Sequence, residues 1–206
     1  MNSCEVKVTV GVIFYSRTNK VKPTFYDIQD YRYDILDILD EIQCGTLKRR
    51  GSGVRYHVLS AYGNEDYRRP YLFRFGDVWY LSEYDNGVPD IQTHYSGFNY
   101  SGRKIIDARY DNPYKASVDV EAIFSTSGHV KPLAFWWEDG TFYDIDFVGA
   151  EERAASLKGG IIGQRYPIRV RDRETYLFRD DDLWFMERKG NHRILDVHGR
   201  EVIIKH

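Results

Sequence analysis

The sequence predicts a mainly β chain, a tandem duplication of one small barrel, and three observations carry that prediction. The chain repeats itself in order, its apolar residues alternate over short runs, and turn-forming residues punctuate the runs. At a shift of 110 residues Tyr33-Asp34-Ile35 meets Tyr143-Asp144-Ile145, Leu47-Lys48 meets Leu157-Lys158, Gly53 meets Gly163, and Arg55-Tyr56 meets Arg165-Tyr166. Upstream, Ile13-Phe14 recurs as Ile123-Phe124, and Val21-Lys22-Pro23 as Val130-Lys131-Pro132 at a shift of 109. Downstream the shift becomes 105, where Tyr71-Leu72-Phe73-Arg74 recurs as Tyr176-Leu177-Phe178-Arg179 and Trp79 meets Trp184. Turns tolerate such small changes of spacing, and so long a period marks two whole domains rather than a solenoid. The expected organisation is a first repeat over 1–84, a tyrosine-rich connecting segment over 85–116 and a second repeat over 117–206.

Each copy opens on an alternating strand, Val6-Lys7-Val8-Thr9-Val10 or Val118-Asp119-Val120-Glu121-Ala122, which puts apolar groups on one face. The next strand begins at Val-Lys-Pro, where a proline that donates no ladder hydrogen bond suits a first or edge position. Trp136-Trp137-Glu138-Asp139-Gly140 then leads into Phe142-Tyr143-Asp144-Ile145, and Asp-Gly between apolar runs is a hairpin signal. The first copy has Ile28-Gln29-Asp30 there, a weaker turn. Tyr33 to Ile42 has apolar residues at both strand and helix spacings and stays open between the two. Glu151 to Leu157 reads as a short helix ended by Gly159 and Gly160. Arg165 to Val170, Thr175 to Phe178 and Leu183 to Glu187 read as strands, with a tight turn at Asp180-Asp181-Asp182 matched by Gly76-Asp77. Five to six short strands and one helical turn per copy fit a closed or half-closed SH3-like barrel, because closure removes exposed strand edges. Segment 85–116 is too aromatic for a freely flexible linker. Its Gly102-Arg103-Lys104-Ile105-Ile106 echoes Gly199-Arg200-Glu201-Val202-Ile203, which would give the second copy a C-terminal hairpin.

Bulk composition narrows the function. A net charge of −2 and a pI near 6.3 argue against a general polyanion binder. Cys4 and Cys44 are the two cysteines and neither recurs in the other copy, which argues against a disulfide framework or a repeated zinc site. The N-terminus lacks a basic stretch followed by a long apolar one, and no run of 18 apolar residues occurs, so a reducing cytoplasm is the expected setting. No cofactor signature is present, and none is expected.

Trp136-Trp137-Glu138-Asp139-Gly140, Tyr143-Asp144-Ile145-Asp146, Arg153-Ala154-Ala155-Ser156-Leu157-Lys158 and Gly163-Gln164-Arg165-Tyr166 are the residues by which the second copy resembles a known group. They are similar to short uncharacterised single-domain proteins common in Firmicutes genomes and their mobile elements, whose ending also looks like Tyr176-Leu177-Phe178 followed by Trp184-Phe185. The first copy matches more loosely, with Cys44-Gly45-Thr46 where Ala-Ala-Ser is expected. The resemblance implies a bacterial or phage origin and brings no catalytic residue.

Two constellations carry the candidate sites. Lys48, Arg49, Arg50, Arg55 and Tyr56 surround Gly51 and Gly53, and Lys158, Arg165 and Tyr166 surround Gly159, Gly160 and Gly163. Glycine lets backbone approach a ligand closely, Lys and Arg hold phosphate or carboxylate, and Tyr stacks a base. The glycines follow the expected helix, so this is no phosphate loop of the Gly-x-x-x-x-Gly-Lys-Ser/Thr kind. The competing structural account ends a helix at the glycines and pairs the arginines with Asp34 or Asp144. The second constellation is Trp136 and Trp137, neighbours that face opposite ways on a strand, so one is expected at the surface or under the other domain, and at a surface it would serve as an interaction anchor. Of the repeated aromatics Tyr71, Phe73, Trp79 and Tyr80, with Tyr176, Phe178, Trp184 and Phe185, alternation on a hairpin sends half inward, and core packing is the expected role. None of the six histidines pairs at metal spacing or recurs between the copies, and no nucleophile elbow occurs. The sequence therefore points to a non-enzymatic binding protein for a nucleotide or short nucleic acid, with a protein-interaction module or mobile-element inhibitor of a host protein as the alternative.

Overall fold

A computed structural model describes residues 6–45, 52–63, 66–83, 115–155, 162–188, 193–195 and 201–203. The described chain forms two compact units. The first draws on residues 6–13, 22–83 and 122–131, the second on 14–21 and 115–121 together with those from 132 onward.

The first unit is organised by strands β1 (Val6–Tyr15), β2 (Lys20–Ile28), β3 (Tyr31–Gly45), β4 (Ser52–Tyr62), β5 (Asp66–Arg68), β6 (Tyr71–Phe75) and β7 (Val78–Ser82). Strands β1, β2, β3, β4, β6 and β7 pair in that order, and β1 pairs again with β7, closing a six-stranded barrel; β5 lies beside β4. Alternation does what the sequence promises: Val8, Val10 and Val12 are fully enclosed, and Tyr56, Val58, Leu72 and Trp79 meet them inside. The Gln29-Asp30 turn joins Ile28 to Tyr31 with both central residues at positive φ, 46° and 71°, the two-residue hairpin geometry that suits the strand twist.

The second unit is built from β8 (Lys115–Ser117), β9 (Asp119–Phe124), β10 (Val130–Trp136), β11 (Phe142–Asp144), β12 (Phe147–Val148), β13 (Glu152–Ala155), β14 (Ile162–Val170), β15 (Arg173–Asp180) and β16 (Leu183–Glu187). The tip of the β9–β10 hairpin belongs to the first unit, as the tip of the β1–β2 hairpin belongs to the second. Strands β12, β14, β15, β16 and β8 pair in that order, with β13 also on β14. Strands β10 and β11 form the Asp139-Gly140 hairpin, where Gly140 takes φ 85° and the Asp139 carboxylate accepts the Thr141 amide. Between β11 and β12, the Ile145 amide donates to Leu133 and the Asp146 amide to Arg169, handing the strand from one neighbour to the next. A short antiparallel pair, β17 (Arg193–Leu195) with β18 (Glu201–Ile203), lies where the C-terminal hairpin was expected.

The residue pairings of the two units coincide at the shifts found in the sequence. Asp37↔Leu59 and Ile42↔Arg55 correspond to Phe147↔Arg169 and Glu152↔Arg165. Tyr56↔Leu72 and Arg74↔Trp79 correspond to Tyr166↔Leu177 and Arg179↔Trp184. Each unit holds a buried tryptophan between a tyrosine and a phenylalanine. Trp79 packs on Tyr56 and Phe124, and Trp184 on Tyr166 and Phe14.

One expectation fails. No helix occurs among the described residues, and the short helix expected from Glu151 to Leu157 is strand at Glu152–Ala155, with Glu151 in neither helix nor strand and Ser156 and Leu157 outside the described residues. The ladder to β14 supplies backbone partners that outweigh the local helical preference of Glu-Arg-Ala-Ala, a common tertiary override. The ambiguous stretch Tyr33 to Ile42 is likewise strand, within β3.

Candidate functional site

The residues of the expected basic loop separate. Lys48, Arg49, Arg50 and Lys158 lie outside the described residues, as do Gly51, Gly159 and Gly160. Tyr56 and Tyr166 are core residues, each 1% exposed, and no base can reach rings enclosed against Trp79 and Trp184. Alternation explains this: in each copy the arginine before the tyrosine points outward, so the tyrosine points in. Burial pushes the Tyr166 phenol well above its ordinary range, and nearby Arg179 draws it back in part.

Arg55 and Arg165 face outward but are engaged. Arg55 reaches Asp40 at 3.2 Å and lies 5.3 Å from the Tyr71 ring centre. Arg165 donates to Glu152, 2.9 Å from Nε, and lies 4.7 Å from the Tyr176 ring centre. Arginine paired with carboxylate was the competing account, although the partners are Asp40 and Glu152 rather than Asp34 and Asp144. Gly53 and Gly163 also have a structural role, since a Cβ at either would run into the backbone carbonyl oxygen of Arg74 or Arg179. The close approach that glycine permits is therefore of strand to strand.

Trp136 and Trp137 are both half-buried. Trp136 packs on Phe142 with ring centres 5.1 Å apart, and Trp137 shapes the hairpin, its amide donating to Thr141 at 2.8 Å.

Catalytic chemistry finds little purchase. Among the described residues no group of three His, Cys, Asp or Glu is placed to hold a metal. Cys44 is buried and burial raises its thiol pKa, which disfavours the nucleophilic thiolate. Lys115 is also buried, its ammonium 4.3 Å from the Phe185 ring centre, and burial lowers its pKa. Asp66 is held below the usual carboxylate range by hydrogen bonds from Arg68 and then Tyr33, a part-buried cluster. An open groove of about 490 Å³ runs over the outer face of the second unit beside Phe147, Pro167, Arg169 and Tyr176. Glu174 and Glu187 line it too, and two acids against one arginine make it a poor seat for an anion.

The surface that sequence reasoning missed is the outer edge of β3. Pairing with β2 ends at Phe25↔Asp34, so from Ile35 to Gly45 the strand has β4 on one side and, among the described residues, no strand on the other. Two register shifts interrupt its pairing with β4, between Ile35 and Asp37 and between Ile38 and Asp40. The extra residues are Leu36 and Leu39, 55% and 43% exposed, followed by Ile42 at 44%. The signal was present as Asp34-Ile35-Leu36-Asp37-Ile38-Leu39, a three-residue period. A strand repeats every two residues, so a period of three fits only with one extra residue each time, which is a bulge. The equivalent positions of the second copy hold Asp146 and Gly149 in the same register, so the barrel itself does not require leucine there.

No protein-family model, curated protein or solved structure matches the chain. No described helix is long and apolar enough to cross a membrane.

Proposed function

We propose that the chain is a tandem duplication of one small SH3-like barrel and a non-enzymatic binding protein whose first copy docks a protein partner on the outer edge of β3. The observation that carries this reading is the pair of bulged, exposed leucines, which the matching register of the second copy accommodates as Asp and Gly. Bulges re-aim side chains and gather near functional sites, and exposed aliphatic groups that the fold does not need mark an interaction surface. Shared registers and the shared tryptophan cages support the duplication. Cys44 as a free buried thiol accords with a reducing cytoplasm, and a bacterial mobile-element inhibitor of a host protein fits the reading.

The nucleotide or nucleic-acid reading loses support as Tyr56 and Tyr166 are enclosed and Arg55 and Arg165 are paired. A photo-crosslinking side chain at position 39, introduced in the source cells, separates the two. A discrete protein adduct that is lost in the Leu36→Asp background supports docking. A thermal shift with nucleotides or oligonucleotides, and no adduct, returns the function to the basic loop.

A further inference from the structure

We infer that the chain is a joined, hairpin-exchanged dimer: each repeat lends the tip of its first hairpin to complete the core of the other, so the partner each repeat is built to bind is a second copy of itself. This rests on reading the chain as a duplication and is independent of the docking edge on β3. Neither compact unit is drawn from one repeat. The first unit takes 122–131 from the second repeat, and the second takes 14–21 from the first. Strands β1, from Val6 to Tyr15, and β9, from Asp119 to Phe124, are each continuous across the point where the chain passes from one unit to the other. Along β1 the apolar stripe Val8, Val10, Val12 and Phe14 is enclosed throughout. Val8 pairs with Trp79 of its own repeat, whereas Phe14 packs on Trp184 of the other, with ring centres 5.5 Å apart. One strand thus feeds two cores.

The exchange is reciprocal. Phe124, which the sequence aligns with Phe14, is equally enclosed and its ring centre lies 5.9 Å from that of Trp79. The buried Arg179 guanidinium is 5.6 Å from the Phe14 ring centre, and its counterpart Arg74 is 5.3 Å from that of Phe124. Residue i meeting j while j meets i is the rule of a two-fold, self-complementary contact, and exchange of an identical element is a ready route to one. Polar and close contacts fix the tips. The buried Ser16 hydroxyl accepts the Trp184 amide at 2.9 Å, and the Ser16 amide donates to the Asp119 carboxylate at 2.8 Å. At the other tip, a Cβ on Gly128 would lie 3.1 Å from the Val78 side chain. Without its borrowed phenylalanine each buried tryptophan would border a cavity. Joining the copies in one chain keeps their effective concentration high and lets them diverge, as Leu36 and Leu39 have from Asp146 and Gly149.

The test uses the full chain in two ways. First, a protease recognition sequence is inserted within 85–114 and the purified protein is cut. The expected result is that the two fragments elute as one complex and part only in denaturant. Second, site-resolved amide hydrogen exchange compares the uncut wild type with Phe14→Ala and with Phe124→Ala. Phe14→Ala should speed exchange around Tyr166 and Trp184 by roughly tenfold or more while sparing the amides around Tyr56 and Trp79, and Phe124→Ala should do the reverse. If the alanine variants do not fold, Phe14→Leu and Phe124→Leu, which keep most of the apolar volume, should show the same crossed pattern at smaller size. Exchange that rises mainly in the variant's own repeat overturns the proposal, as does separation of the fragments on cutting. Fragments that part and each keep a β-rich spectrum remove the exchange and leave two copies of a barrel. A crossed effect from Phe14→Ala with none from Phe124→Ala removes the reciprocity, and the duplication with it.

Discussion

Phe124 offers the sharpest test of how the first unit is held together. Its ring is fully enclosed, 5.9 Å from Trp79 in an edge-on arrangement, with the Arg74 guanidinium 5.3 Å from its centre. A buried aromatic side chain removes on the order of 150–250 Å² from water, which at about 25 cal/mol per Å² is roughly 4–6 kcal/mol. Alanine keeps a small part of that, and core Phe→Ala changes cost about 3–5 kcal/mol once incomplete collapse of the cavity is included. Phe124→Ala should therefore lose about 4 kcal/mol, a large share of the ~5–15 kcal/mol that holds an ordinary domain. In urea, with a slope near 2 kcal/mol/M, the midpoint of the Trp79-reporting fluorescence transition should fall by about 2 M. Phe142→Ala, at a ring 42% exposed, is the control and should shift the midpoint by a small fraction of that. If both variants behaved alike, Phe124 would not be a core residue of this unit and the division of the chain would be wrong.

Three further outcomes follow from the geometry. Replacing Gln29-Asp30 by Asn-Gly should raise stability by roughly 1 kcal/mol, because both positions hold positive φ that glycine and asparagine adopt at lower cost; denaturant melts will show it. Gly163→Ala should destabilise by about 1–3 kcal/mol, since the Arg179 carbonyl that its Cβ meets belongs to a paired strand and cannot yield without shifting the ladder. The Tyr26 phenol is pushed up to about 12 by burial, against a hydrogen bond with Ser60 that lowers it. A raised phenol favours the neutral folded form, so its contribution to stability is intact below pH 10.0 and is lost as the pH rises through about 12. An ultraviolet phenolate titration should show one tyrosine fewer ionising near pH 10 in the wild type than in Ser60→Ala only if that hydrogen bond held Tyr26 neutral; since it lowers the pKa, Ser60→Ala should delay ionisation further.

Much of the fold was legible because it is local. The alternation of Val6 to Val10, the Asp139-Gly140 and Gly76-Asp77 turns and the strands from Arg165 to Glu187 are written in side-chain periodicity and turn chemistry, which neighbours in sequence decide. The core places of Phe73, Trp79, Phe178 and Trp184 accord with the expectation that alternation sends half of the repeated aromatics inward. The site was read less well. Arg55-Tyr56 and Arg165-Tyr166 looked like ligand-holding pairs beside glycines, but as strand neighbours they face opposite ways, and the tyrosine of each is buried in the core.

By itself, then, the sequence determined that this protein is β-rich, where most of its strands and turns fall, and that part of its repeated aromatic set packs inside. Only the tertiary structure decided that Glu152–Ala155 extends rather than coils, that Phe14 belongs with Trp184 and Phe124 with Trp79, and that among the described residues no strand covers the edge of β3 that carries Leu36 and Leu39. The physical reason is the same for all three. Periodicity states which face of a segment is apolar, whereas the identity of the neighbour that covers it, or the lack of one, depends on residues up to 170 positions away, as for Phe14 and Trp184.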